Sequence, residues 1–356
     1  MKSKDRVLKT LNHQVVDRVP LGFVGSNSQI DKQLKSHFRL AANDNDGLLE
    51  SLNVDLRYFI FPPYKGPRLF EDIEGLLIDP LWGVHMRWAA NESGGYWDFV
   101  DFPLKDAAEE QVAVWPFPSP DDFDYAAVDT FCEKHADKYL VFGNPGMADL
   151  LNSTGRIRTM EQVYIDIITA DPAGLLYFKR KAEMELAVME RVLDRAGGHI
   201  DMIWIGEDLG TQHSPLISLE VYRKHIKPIQ KKFVDMAKAY NLPVMIHSCG
   251  SSSWAYEDFI EMGITVVDTL QPEAAQMSPA HLKKTFGGRL SFHGCISTAG
   301  PLAYGSVEDV KKIVTQTLDI MAPGGGYIMA PTHMLQDNTP VENVLAAYQA
   351  ALNYRI

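Results

Sequence analysis

The chain has 356 residues, and its 34 basic and 46 acidic side chains leave a net charge of −12. Hydrophobic residues at 46% and charged residues at 22% exclude wholesale disorder, and a pI near 5.4 excludes the basic surface that a nucleic-acid binder needs. There is no run of 18 apolar residues for a membrane span, no apolar stretch behind the charged start Met1–Thr10 for a secretory leader, and only three cysteines, Cys132, Cys249 and Cys295, which is no disulfide framework and points to a reducing cytoplasm.

In the first half, strand candidates lie at Val19–Val24, Asp55–Phe61 and Tyr139–Gly143. A stretch from Trp82 to Phe102 is rich in Trp, Tyr and Gly and reads as a hairpin insertion. The second half alternates regularly. Strands are expected at Met202–Ile205, Pro243–His247, Thr265–Thr269, Leu290–His293 and Tyr327–Ala330. Helices are expected at about Leu219–Tyr240, Trp254–Met262, Pro279–Phe286, Val307–Met321 and from Pro340 onward. Helix starts are written as Ser278-Pro279, Ser306 with Asp309, and a capping box at Thr339 with Glu342. Short apolar strands alternating with helices mean parallel βα units. Eight strands in all predict a (β/α)8 TIM barrel, with an N-terminal extension and a small insertion, as one domain over residues 1–356.

In such a barrel the chemistry gathers at the carboxyl ends of the strands. There the chain places Asn144, the adjacent pair Glu207 and Asp208, then His247 and Cys249, Gln271, His293 with Cys295, and His333. His247 and Cys249 are two apart, so an extended backbone points both to one side. Imidazole and thiolate both bind zinc at roughly 2.0–2.3 Å. His333, from the end of the last strand, is expected as a third ligand, leaving the fourth position to Glu207, water or substrate. Cys295 is a rival ligand, a nucleophile, or a small residue packed beside Gly294, and His293 is expected to face the helices. Asn144 and Gln271 are expected to orient substrate, Glu207 to carry a proton, and Trp82, Trp88, Tyr96 and Trp97 to line a pocket or the core. No glycine-rich dinucleotide loop, phosphate loop or nucleophile elbow occurs.

Several segments together resemble the uroporphyrinogen decarboxylase superfamily: Arg6–His13 with Asp17–Pro20, His247–Gly250, Gln271–Ala274, Leu282–Gly287, Ala322–Ile328 and Pro340–Asn343. The resemblance implies a (β/α)8 barrel. The arginine-rich motif by which true decarboxylases grip their substrate has no counterpart in Pro20–Ser28, so uroporphyrinogen is not the expected substrate. The chain is more similar to the zinc-dependent corrinoid methyltransferases and O-demethylase components. In these a His-x-Cys pair and a later Cys hold zinc, and His333 stands where that later Cys would be. The resemblance implies a cytoplasmic methyltransferase that binds Zn2+ and acts on a small O- or S-methyl substrate. It implies a corrinoid (cobalamin) on a separate protein, because no cobalamin-binding Asp-x-His-x-x-Gly is present. It further implies a monomer or homodimer, with neither nucleic acid nor membrane as partner. The alternative is a decarboxylase or lyase of a small carboxylate, whose cation would be Arg156 or Arg158.

Overall fold

The computed structural model describes residues 1–91 and 94–355. Its strands are β1 Leu56–Phe59, β2 Leu77–Ile78, β3 His85–Asn91, β4 Gly94–Phe99, β5 Tyr139–Gly143, β6 Met202–Gly206, β7 Val244–His247, β8 Val266–Thr269, β9 Ser291–Ile296 and β10 Tyr327–Pro331. Seven of them form one curled parallel sheet in the order β1-β5-β6-β7-β8-β9-β10, and β2-β3-β4 form a separate antiparallel sheet. From β5 to β10 every strand residue is buried. Strands enclosed on both faces must be apolar throughout, and this is why they read as continuous runs in the sequence.

The two faces carry distinct cores. Leu56, Tyr139, Val141, Met202, Trp204, Met245, Val266 and Ile328 pack together on the concave side. A larger cluster joins the convex side to the surrounding helices through residues such as Ile203, Ile205, Val267 and Phe292. Among these helices is Pro172–Ala196, 25 residues long, which starts on the Asp171 carboxylate accepting the Ala173 N–H.

The eighth strand expected at Val19–Val24 is reduced to a bridge. Leu21 pairs in parallel with Met329 of β10. The Gly22 N–H donates to the Met329 carbonyl at 2.8 Å, and the Asp55 N–H donates to the Leu21 carbonyl at 2.8 Å. The segment therefore touches both edges of the sheet, but its ladder is interrupted. Pro20 has no N–H to give, and the Leu21 N–H goes to the Asp55 carboxylate at 2.9 Å instead of to a strand.

Asp55 is fully buried and is the knot of this junction. Oδ1 accepts from Arg6 at 2.6 Å and Ser3 at 2.8 Å, and Oδ2 accepts from Arg18 at 2.7 Å. Arg6 also pairs with Asp17 at 2.7 Å, which holds the Asp17 carboxyl well below the usual carboxylate range. The N-terminal helix Ser3–Leu11 is thus pinned to the sheet by paired charges.

Three local expectations are corrected. The helix expected over Leu219–Tyr240 is a short turn at Leu219–Val221, a π-helical turn at Tyr222–Ile226, and a helix at Lys227–Ala239. Pro228 cannot donate to the preceding turn, so the ladder opens just ahead of it. No capping box forms at Thr339. The helix Val341–Asn353 has Pro340 at its cap, and the Thr339 hydroxyl makes no hydrogen bond. Strand β9 runs on past the expected end at His293 to Ile296, so it takes in Cys295. Ser278 and Ser306 do cap their helices.

Removing the Asp55 carboxylate leaves Arg6, 6% exposed, without its buried partner. Breaking a buried ion pair on one side costs about 3–5 kcal/mol. Asp55→Ala is therefore expected to lose stability on that scale in denaturant unfolding; a loss under 1 kcal/mol would contradict the role given to this junction.

Candidate functional site

The parallel register sets His247 of β7, Asp268 of β8 and His293 of β9 side by side, each the partner of the next. The Asp268 carboxylate accepts from both imidazoles, from His247 Nδ1 at 2.7 Å and from His293 Nδ1 at 2.6 Å. All three are buried, and Tyr58 of β1 closes the row with its hydroxyl 3.3 Å from His293 Nε2. Burial opposes a charge on Asp268, but the two imidazoles outweigh it and hold its pKa at about 2. With Nδ1–H given to a carboxylate, the Nε2 lone pair of His247 faces the other way.

What it faces is Cys249. Its Sγ lies 3.3 Å from His247 Nε2, and Asp208 Oδ1 lies 3.7 Å from that same nitrogen. One donor atom each from Asp208, His247 and Cys249 fall within 4.8 Å of one another. Asp208 is held by the Cys249 N–H at 2.8 Å and the Asn152 amide at 2.8 Å. Gly250 comes directly after Cys249 at φ 71°, and a Cβ there would strike the Gly210 carbonyl, so the turn that presents the thiol requires glycine. Burial pushes the Cys249 thiol up, against the pull of His247.

The other expected residues lie apart from this group or support it from behind. His333 is exposed, outside the donor group, with its ring centroid 6.4 Å from that of His247. Glu207, Asp208's neighbour, points elsewhere and accepts the backbone N–H groups of Leu150 and Leu151 at 2.9 and 3.2 Å. Burial, with Asp149 adding its repulsion, holds the Glu207 carboxyl well above the usual range. Gln271 Oε1 accepts the Gly250 N–H at 2.5 Å, and Asn144 bonds the Ile60 carbonyl at 3.2 Å. Cys295 is buried at φ 76°, and burial, with Glu273, pushes its thiol up to about 12, so it stays protonated at neutral pH.

His293 does not face the helices as expected. It joins Asp268, because the concave face takes it. Arg158 is buried against Asp166 and two backbone carbonyls, so it is committed to structure and leaves Arg156 as the cation near the Asn144 loop. Trp82 lines a cavity, whereas Trp88, Tyr96 and Trp97 are about half exposed outside it. Sequence reasoning misses Asp268 as a functional residue. The signal is a carboxylate inside an otherwise apolar strand, which burial tolerates only when it is paired.

Glu207 has a folded-state pKa raised above its unfolded value. Its penalty is absent below the unfolded value near 4.5 and grows as pH rises toward the folded one. Glu207→Gln is therefore expected to raise the melting temperature more at pH 8 than at pH 5, as read by thermal unfolding at both; an equal shift would contradict the raised Glu207 carboxyl.

Residues 182–354 match the family model described as uroporphyrinogen decarboxylase. Over 147 residues the chain is 26% identical to the methylcobamide:CoM methyltransferase MtbA of Methanosarcina mazei, a stretch covering 39% of this chain and 39% of that relative. The chain thus aligns with well under half the length of this curated relative. A solved methyltransferase from Methanosarcina mazei superposes with a TM-score of 0.65, at 18% identity, over 99% of this chain and 98% of that one. The two share a fold. Over residues 182–354 the chain is similar to the uroporphyrinogen decarboxylase family, and over a stretch of 147 residues to a methyltransferase.

Proposed function

We propose that the protein is a zinc-dependent methyltransferase that moves a methyl group between a small O- or S-methyl substrate and a corrinoid carried on a separate protein. The reading rests above all on the compact set of Asp208, His247 and Cys249 at the strand ends of a chain similar to this family. A tetrahedral zinc ion with ligands at its usual bond lengths spaces its donors about 3.3–3.8 Å apart. The 3.3 and 3.7 Å separations around His247 Nε2 fit that spacing.

His247, Cys249 and Asp208 would hold the ion, with His333 the candidate for the position facing solvent. When bound, zinc supplies a Lewis acid that polarises the substrate oxygen or sulfur. One thiolate donates less charge than two, which favours oxygen as the activated atom. The chain's own residues prepare the site. Asp268 fixes the tautomer and the ring of His247. Asn152 and the Cys249 N–H aim Asp208, and Gln271 steadies the turn at Gly250. Glu207 anchors the loop at Leu150 and keeps a proton, and Asn144 borders the neighbouring cavity, where it would orient substrate. We read the Pro20–Gly22 bridge as the eighth stave of a closed barrel that forms one domain. No helix among the described residues is long and apolar enough to cross a membrane.

Two outcomes test this. Purified protein is expected to carry about one zinc per chain by elemental mass spectrometry and to transfer the methyl group of methylcobalamin or a methylated corrinoid protein to a small thiol or hydroxyl acceptor. Cys249→Ala is expected to lose both, and activity surviving in that variant would contradict the reading. Asp268→Asn is expected to weaken zinc binding about 10- to 100-fold in a competition titration with a chelator; unchanged affinity would remove Asp268 from the site.

A further inference from the structure

A cavity of about 250 Å³ lies between the β2-β3-β4 sheet and the Asn144 loop. Phe61, Trp82, Phe99 and Tyr177 supply flat apolar walls. Its charged groups are Asp79, Glu185, Lys181 and Arg156, and three of the four are already committed. Lys181 Nζ bonds Glu185 at 2.5 Å and the Gly146 carbonyl at 2.9 Å, and Glu185 also accepts the Ala148 N–H at 3.0 Å. Asp79 Oδ1 accepts the N–H groups of Leu81 and Trp82 at 2.9 and 2.7 Å. Arg156 is different. It is exposed at the cavity's edge, 5.3 Å over the Phe99 ring, with no ion-pair partner among the described residues. A guanidinium stacked on an aromatic ring keeps its donor fork free for a carboxylate or sulfonate.

The cavity and the donor cluster share the helix Leu151–Arg158. Asn152 reaches Asp208, while Ser153 and Arg156 line the cavity. We infer that this cavity is a recognition subsite for a small molecule with a flat apolar body and a single anionic group, the ring held between Trp82 and Phe99 and the anion by Arg156. As the place where the remote end of a methyl-group donor or acceptor is held, it rests on the function proposed above; as a binding site it does not. The anion fixes the register of the ligand, and the apolar walls reject a strongly hydrated body. Arg156 is a specificity residue in this account, not a catalytic one.

The test is calorimetric binding to metal-free protein, with no corrinoid present, using benzoate, benzamide and phenyltrimethylammonium as probes. Benzoate is expected to bind saturably and more tightly than the other two. Arg156→Gln is expected to weaken benzoate at least about tenfold and leave benzamide unchanged, with Arg156→Lys falling between. Arg156 is at the surface, so these variants are expected to fold, and their thermal unfolding checks this. Benzoate binding no tighter than benzamide, tighter binding of the cationic probe, or undiminished benzoate affinity in Arg156→Gln would each overturn the inference. Because the assay needs neither zinc nor methyl transfer, a failure here leaves the metal site standing, and loss of the metal site leaves the subsite standing.

Discussion

One buried carboxylate, Asp268, organises the candidate site. A charge sealed inside a protein must be paired, or it forces the fold to neutralise it. Asp268 is paired twice, by imidazoles on the strands to either side. The arrangement is a product of register: in parallel strands, residues one partner apart stand abreast, so a single shift of β8 would move the carboxylate to the convex face. With His247 oriented from behind, its free nitrogen, the Cys249 sulfur and the Asp208 oxygen converge without help from the loops further out. The tight turn at Gly250 and the amide of Asn152 then fix the two remaining donors.

Asp55 plays the corresponding part in the scaffold. Where the ladder between the N-terminal segment and β1 is incomplete, this side chain takes the orphaned Leu21 N–H and draws Arg6 and Arg18 onto the same oxygens. The N-terminal stretch can thereby lie against β10 and cover the row of Tyr58 and His293. Gly22 is needed at that contact, because a Cβ there would run into the His293 ring. Scaffold and site therefore meet at His293, which reports on both.

Much of this is legible in the sequence, for identifiable reasons. Parallel strands buried on both faces leave apolar runs, so β5 to β10 are readable, and so is the hairpin between Trp82 and Phe102. His247 and Cys249 are readable because their relation is local. Asp268 is not, because its role is created by neighbouring strands and not by residues adjacent in the chain. The choice between Glu207 and Asp208 lies in the path of a loop, which decides that one carboxylate meets the donors and the other meets the backbone of Leu150. The break at Pro228 and the extension of β9 through Cys295 reflect hydrogen-bond geometry that periodicity does not record. His333 comes after the strand end as expected, but the loop carries it to the solvent side of His247.

The most direct test is the X-ray absorption spectrum of the zinc-loaded protein at the zinc edge. The account predicts one sulfur at about 2.3 Å and the remaining ligands nitrogen or oxygen at about 2.0–2.2 Å, with the sulfur lost in Cys249→Ser and retained in Cys295→Ser. Two sulfurs in the wild-type spectrum, or a sulfur that survives Cys249→Ser, would contradict it.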